Sequence, residues 1–164
     1  LDRDPDDTRF IMGRAVALQK MGQTSAAIRA YQRVIVVDPD NFVALTNLLG
    51  LIGRNSPRAA LSELITLVDK YPDQDMIAAQ IGFTYAELGD SENALKNLRW
   101  AAKLAPGNPT YQMNVAVLFD QKGNTTMAAT HYRNTLKLAE LGNDNDSLPI
   151  ETIKARLNYL TGTR

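Results

Sequence analysis

The chain of 164 residues has no cysteine, which removes disulfides, thiolate nucleophiles and sulfur-ligated zinc together. That absence suits the cytoplasm and a bacterial periplasm equally, so the compartment stays open. Only one histidine is present, His131, and Thr135 stands one helical turn beyond it, so no histidine pair at metal-ligand spacing exists. Nor is one sign of charge in excess, because 18 basic and 18 acidic residues cancel. Nucleic-acid binders carry a basic surplus to neutralise phosphates, and here there is none. The apolar runs reach only about a third of the roughly 20 residues that cross a bilayer. Glycine-rich phosphate loops and nucleophile elbows are also missing. Asp2, Asp4, Asp6 and Asp7 lack the glycine and distal glutamate of a calcium loop and suit helix capping better. The expectation is therefore a protein that is not an enzyme. It would have no catalytic residue, metal or cofactor, no nucleic-acid partner and no inserted membrane segment.

What the chain does have is a period. Pro5, Pro39, Pro72 and Pro106 stand 34, 33 and 34 residues apart, each closing a similar short phrase. A period of that length marks arrays of helix–turn–helix units. The segment 75–108 is the cleanest unit. Apolar residues surround most of the stretch from Met76 to Leu88, which predicts a helix buried on more than one side. Gly89 then supplies a turn with positive φ. Ser91 is an N-cap candidate for a second helix over 92–104, which stops before Pro106. Ala94, Leu98, Ala101 and Ala102 share one face of it, with Lys96, Arg99 and Lys103 elsewhere. The small residues Gly82 and Ala94 allow the two axes to approach closely. The unit 42–74 is irregular: Gly50 and Gly53 each cost about 1 kcal/mol relative to Ala in a helix interior. Its turn is one residue short, with Ser56 and Pro57 reading as N-cap and first helical residue. Two readings of those glycines stand side by side: a frayed helix end, or room for a ligand backbone or hinge.

On Ile81, Gly82, Tyr85, Gly89, Ala94, Leu98, Ala101 and Pro106 the chain resembles the tetratricopeptide repeat (TPR) family. Ile11, Ala15, Leu18, Gly22, Ala27, Tyr31, Val34 and Pro39 repeat the pattern. Val115, Ala116, Phe119, Gly123, Ala128 and Tyr132 repeat it again, departing at Glu140, where the helix is expected to run on to Leu141. The resemblance implies an all-α fold, a right-handed superhelical solenoid of antiparallel helix pairs. The expected organisation is four TPR-like repeats over 8–41, 42–74, 75–108 and 109–142. Residues 1–7 read as the tail of a preceding repeat or as a linker, in a fragment or mature form of something longer. Residues 143–164 read as a polar linker and a C-terminal capping helix. That helix, 148–160, sets Ile150, Ile153, Leu157 and Leu160 on one face and turns Glu151, Lys154, Arg156 and Asn158 to water.

In this family the first helix of each repeat lines a concave groove that takes protein or peptide partners. By register, the peptide-binding groove here comprises Met12 and Val16, Val43 and Asn47, Met76, Gln80 and Phe83, and Met113, Asn114 and Val117. Asn47, Gln80 and Asn114 recur at one repeat position. They read either as an amide ladder for an extended backbone or as hydrogen bonds to neighbouring helices. The methionines, valines and Phe83 make the surface apolar, which suits varied apolar partners unless those side chains pack between helices. The lysines and arginines that clamp a chaperone's acidic tail are missing at these positions. The expected function is a non-catalytic protein–protein interaction scaffold. It would bind a helical or extended apolar segment, in the manner of bacterial envelope, pilus or secretion assemblies. The alternatives are a recruiting arm of a larger enzyme, or self-association through the groove. His131 reads as structural.

Overall fold

The computed structural model describes residues 7–54, 56–142 and 148–162, and among them there are nine helices and no strand. In chain order they are α1 (Thr8–Lys20), α2 (Thr24–Val37), α3 (Phe42–Gly53), α4 (Pro57–Lys70), α5 (Asp75–Glu87), α6 (Ser91–Leu104), α7 (Pro109–Gln121), α8 (Thr125–Leu141) and α9 (Ile150–Thr161). Asn55, the residues before Asp7 and the linker 143–147 lie outside the described residues, and with them most of the expected repeat tail and the whole expected linker.

Short polar side chains start most of these helices. Asp7, Asn41, Asp90, Asn108 and Asn124 each accept a hydrogen bond from a backbone N–H of the first turn, worth about 1 kcal/mol per cap. Asp90, not Ser91, caps α6: its Oδ1 accepts from the Asn93 backbone N–H at 3.0 Å and its Oδ2 from Asn93 Nδ2 at 2.7 Å. An ionised carboxylate outcompetes the neighbouring hydroxyl for that role because its hydrogen bonds are charge-assisted. Ser56 does sit at the N-cap of α4, but its side chain makes no capping bond, and Pro57 opens the helix. Three turns between paired helices use a glycine in the left-handed region, Gly22, Gly89 and Gly123, with φ of 72°, 78° and 73°. The short turn after α3 has no such glycine, and Arg54 ends the helix in the right-handed region instead.

The chain divides into two compact units, Leu1–Pro72 and Asp73–Arg164. In the first, Ile11 and Ala15 of α1 meet Ala27, Tyr31 and Val34 of α2 and Ala44, Leu48 and Leu51 of α3 in one core. The Tyr31 hydroxyl crosses to Gln19 Oε1 at 2.6 Å. Phe42 meets the edge of Tyr71 at 4.7 Å, and the Tyr71 hydroxyl donates to Asp40 at 2.9 Å, so the end of α4 is pinned to the start of α3. Gly53 is buried, and a Cβ there would stand 3.4 Å from that of Ala60. That is ordinary van der Waals contact, so the packing of α3 on α4 does not itself require a glycine here.

In the second unit Ala94, Leu98, Ala101 and Ala102 of α6 form one core with Val115, Ala116 and Phe119 of α7, Ala128 and Tyr132 of α8, and Ile153 of α9. Gly82 lies flush on α6: a Cβ there would come 2.7 Å from Leu98 Cγ and 3.1 Å from the Ala94 carbonyl oxygen. The buried polar side chains Thr46, Thr84 and Thr135 each donate to the carbonyl one turn back in their own helix, so none is left unsatisfied. The terminal helix begins at Ile150 rather than Leu148. A residue before proline is driven out of the helical region, so Leu148 stays outside the helix, where it is buried at 8% exposure. Ile153 is 3% exposed, and Leu157 and Leu160 pack partly buried against the core.

Candidate functional site: the first-helix faces

Each expected groove residue falls on the first helix of a pair, and none is buried. In the first unit, Met12 and Val16 of α1 pack half-buried against the core, and Asn47 of α3 is half-buried. Val43 of α3 is 43% exposed. In the second, Met76, Gln80 and Phe83 of α5 and Met113, Asn114 and Val117 of α7 are all half-buried. A half-buried apolar side chain keeps one flank on the core and presents the other, so these helices retain apolar surface that helix packing leaves uncovered.

Phe83, Asn114 and Val117 come together. With Glu87, Leu118 and Gln121 they line a depression of about 310 Å³ on the face of α5 and α7. Its lining combines apolar side chains with the amides of Asn114 and Gln121 and the carboxylate of Glu87. Asn114 Nδ2 donates to the Thr110 carbonyl of its own helix at 2.9 Å. That differs from both readings of the amides, because the bond reaches neither a neighbouring helix nor open space. It orients the amide and leaves the Asn114 oxygen as an acceptor. The Gln80 side chain makes no hydrogen bond among the described residues.

Met113 and Val117 have a second neighbour that the sequence pattern did not reveal. With Pro149, Thr152 and Ile153 they line another depression, about 280 Å³, beside the terminal helix. Besides the apolar contact of Ile153, an ion pair links α7 and α9. Arg156 Nε and Nη2 donate to Asp120 Oδ2 and Oδ1, both at 2.7 Å, a bidentate geometry that fixes orientation as well as distance. Arg156 stays exposed at 44%, as expected, and also pairs with Asp120, whose side chain is only 12% exposed. The Tyr132 hydroxyl donates to the same carboxylate at 3.3 Å. The Arg156 hydrogen bonds hold the Asp120 carboxyl below its usual range, with its burial opposing. Burial and the Asp120 charge push the Tyr132 hydroxyl up to about 12. One aspartate thus ties α7, α8 and α9 together and closes one side of the α7 face.

His131 stacks on Phe119 with ring centroids 5.4 Å apart, and its Nδ1 lies 2.8 Å from Gln112 Oε1. Burial, with the Arg99 charge, lowers its pKa, which keeps it a neutral packing residue. Among the described residues no group of three potential metal ligands occurs, and no helix is long and apolar enough to cross a membrane.

Solved structures carry the same fold. The thermophilic TPR protein TTC0263 of Thermus thermophilus superposes with a TM-score of 0.76 at 20% identity, covering 95% of this chain and 84% of that one. MamA 41-end from Desulfovibrio magneticus RS-1 gives 0.63 at 18% identity over 85% of this chain and 80% of that one. A tetratricopeptide repeat protein from Parabacteroides merdae ATCC 43184 gives 0.62 at 19% identity over 94% of this chain and 60% of that one. No curated protein matches the sequence. The tetratricopeptide repeat family model matches residues 3–140, in keeping with the all-α helical pairs and the glycine turns. The chain belongs to the tetratricopeptide repeat family.

Proposed function

We propose that this protein is a non-catalytic interaction scaffold whose first-helix faces bind an apolar peptide segment, helical or extended. The observation that carries the reading is the depression on α5 and α7, where half-buried Phe83 and Val117 flank the oriented amide of Asn114. Apolar walls supply affinity by burying a partner's side chain, and a fixed acceptor beside them selects a partner with a backbone or side-chain N–H to offer. The partly exposed Met12, Val16 and Val43 of the first unit offer surface of the same chemistry. The setting we favour is a bacterial envelope, pilus or secretion assembly, by analogy with other proteins built from such repeats.

The test is a pull-down of partners by the wild-type chain and by a Phe83→Glu variant, with circular dichroism confirming that the variant is folded. Gln80→Ala with Asn114→Ala serves as a second, gentler variant. The reading expects capture to be lost with Phe83→Glu and weakened with the amide pair. Undiminished capture by both variants would place the site elsewhere.

A further inference from the structure

On α6 a second surface, separate from the first-helix faces, presents cations around the one tryptophan of the chain. Lys96, Arg99, Trp100 and Lys103 occupy positions i, i+3, i+4 and i+7, so they share one face. Trp100 is 48% exposed, an unusual place for so large an apolar side chain. With Leu95 and Leu104, half-buried at its edges, it forms the apolar part of a trough of about 800 Å³. Among the described residues no salt bridge engages Lys96, Arg99 or Lys103. Three cations outnumber the two carboxylates of the same trough, Asp73 and Glu92, and with the exposed indole they form a surface matched to carboxylates and one apolar side chain.

We propose that this face of α6 docks an acidic amphipathic helix of a partner protein, with carboxylates one helical turn apart and a large apolar residue between them. Arg99 and Lys103 are four residues apart, about 6 Å along the axis. Carboxylates at i and i+4 of a helix laid antiparallel beside α6 have the same spacing, with i+4 on Arg99 and i on Lys103, and the residue at i+3 then falls level with Trp100. Leu95 and Leu104 are half-buried beside the exposed Trp100, and the trough leaves room for a partner's side chains. An anionic membrane fits less well. Membrane-binding clusters hold about four to eight basic residues, each contributing about 1 kcal/mol, whereas three line this trough.

The test uses a fluorescein-labelled, alanine-based peptide of about fifteen residues, long enough for appreciable helix. It carries glutamate at every fourth position, with leucine one residue before each later glutamate; the control peptide replaces glutamate by glutamine. Fluorescence anisotropy should show the acidic peptide binding the wild-type chain and the glutamine peptide binding at least about tenfold more weakly. The pair Arg99→Glu and Lys103→Glu should abolish binding, and Trp100→Ala should weaken it several-fold. All three positions are exposed, so the fold should survive, and Phe83→Glu should leave this binding intact. Raising salt from about 50 to about 200 mM should weaken it, because exposed charges are screened over about 10 Å or less. Equal binding of the two peptides, or binding indifferent to charge reversal, overturns the proposal. So does capture of phosphatidylserine vesicles without capture of the peptide. Self-association relieved by Trp100→Ala would make a second copy the occupant and would also overturn it.

Discussion

Gly82 offers a quantitative test of how the second unit is packed. Replacing it by alanine adds a Cβ 2.7 Å from Leu98 Cγ and 3.1 Å from both the Ala94 oxygen and the Leu98 nitrogen. Two of these three neighbours are backbone of α6, and Leu98 is only 1% exposed, so it has nowhere to swing. Overpacking of this kind costs about 1–3 kcal/mol and the rigid surroundings place it at the upper end. Against it stands the gain of about 1 kcal/mol from replacing glycine by alanine inside a helix. The net is a loss of about 2 kcal/mol, which lowers Tm by about 4–8 °C at this chain length. Gly13 supplies the control, because it lies within α1 and a Cβ there meets nothing within 4 Å. Gly13→Ala should therefore raise stability by about 1 kcal/mol, the propensity gain alone. Thermal and urea melts followed by circular dichroism at 222 nm measure both variants. If Gly82→Ala melts at or above the wild type, the close approach of α5 and α6 is not as described.

Three further outcomes follow from the second unit. His131 has a folded pKa below its ordinary value through burial and the Arg99 charge, so its contribution is complete above the unfolded pKa of about 6.5 and is lost as pH falls through the lower folded value. The urea midpoint should drop between pH 7.5 and 5.5, and His131→Gln should remove that drop; an equal drop in the variant refutes the assignment. Asp120, held down chiefly by the Arg156 hydrogen bonds, contributes stability above the ordinary carboxylate range that disappears as pH falls through its folded pKa. Melts below pH 4 should therefore show a steeper loss in the wild type than in Asp120→Asn, and parallel curves would count against the latch. Ile153→Ala removes a side chain that is 3% exposed, at a cost of about 2–5 kcal/mol that falls mainly on the docking of α9. Trypsin should then cut at Lys154 and Arg156 much faster with little change in helix content, and an unchanged cleavage rate would show that α9 does not depend on this contact.

The repeat period, the pairing of helices and the glycine turns were all legible in the sequence, because they rest on local rules. Gly22, Gly89 and Gly123 mark turns through a backbone conformation that other residues avoid. Prolines mark helix ends through a lost donor and a steric clash. The buried face of α6 was readable from Ala94, Leu98, Ala101 and Ala102 because helical periodicity alone groups them. Boundaries slipped by a residue or two where two candidate caps competed, as at Asp90 and Ser91, or where Pro149 delayed a helix.

What the sequence could not decide were relations between residues far apart along the chain. Arg156 and Asp120 are 36 residues apart, and no periodicity links them; only the docking of α9 brings their charges into contact. Asn114 was a candidate member of an amide ladder, and the structure turns its amide onto its own helix. Lys96, Arg99 and Lys103 were legible only as lying off the apolar face of α6, and the exposure of Trp100 and the trough around it needed the packed neighbours to define them. Local chemistry determined the scaffold by itself, because capping, turns and periodicity act within a few residues. Which surfaces stay open, and which charges stay unpaired, was decided only when distant helices packed and each side chain either found a partner or was left facing out.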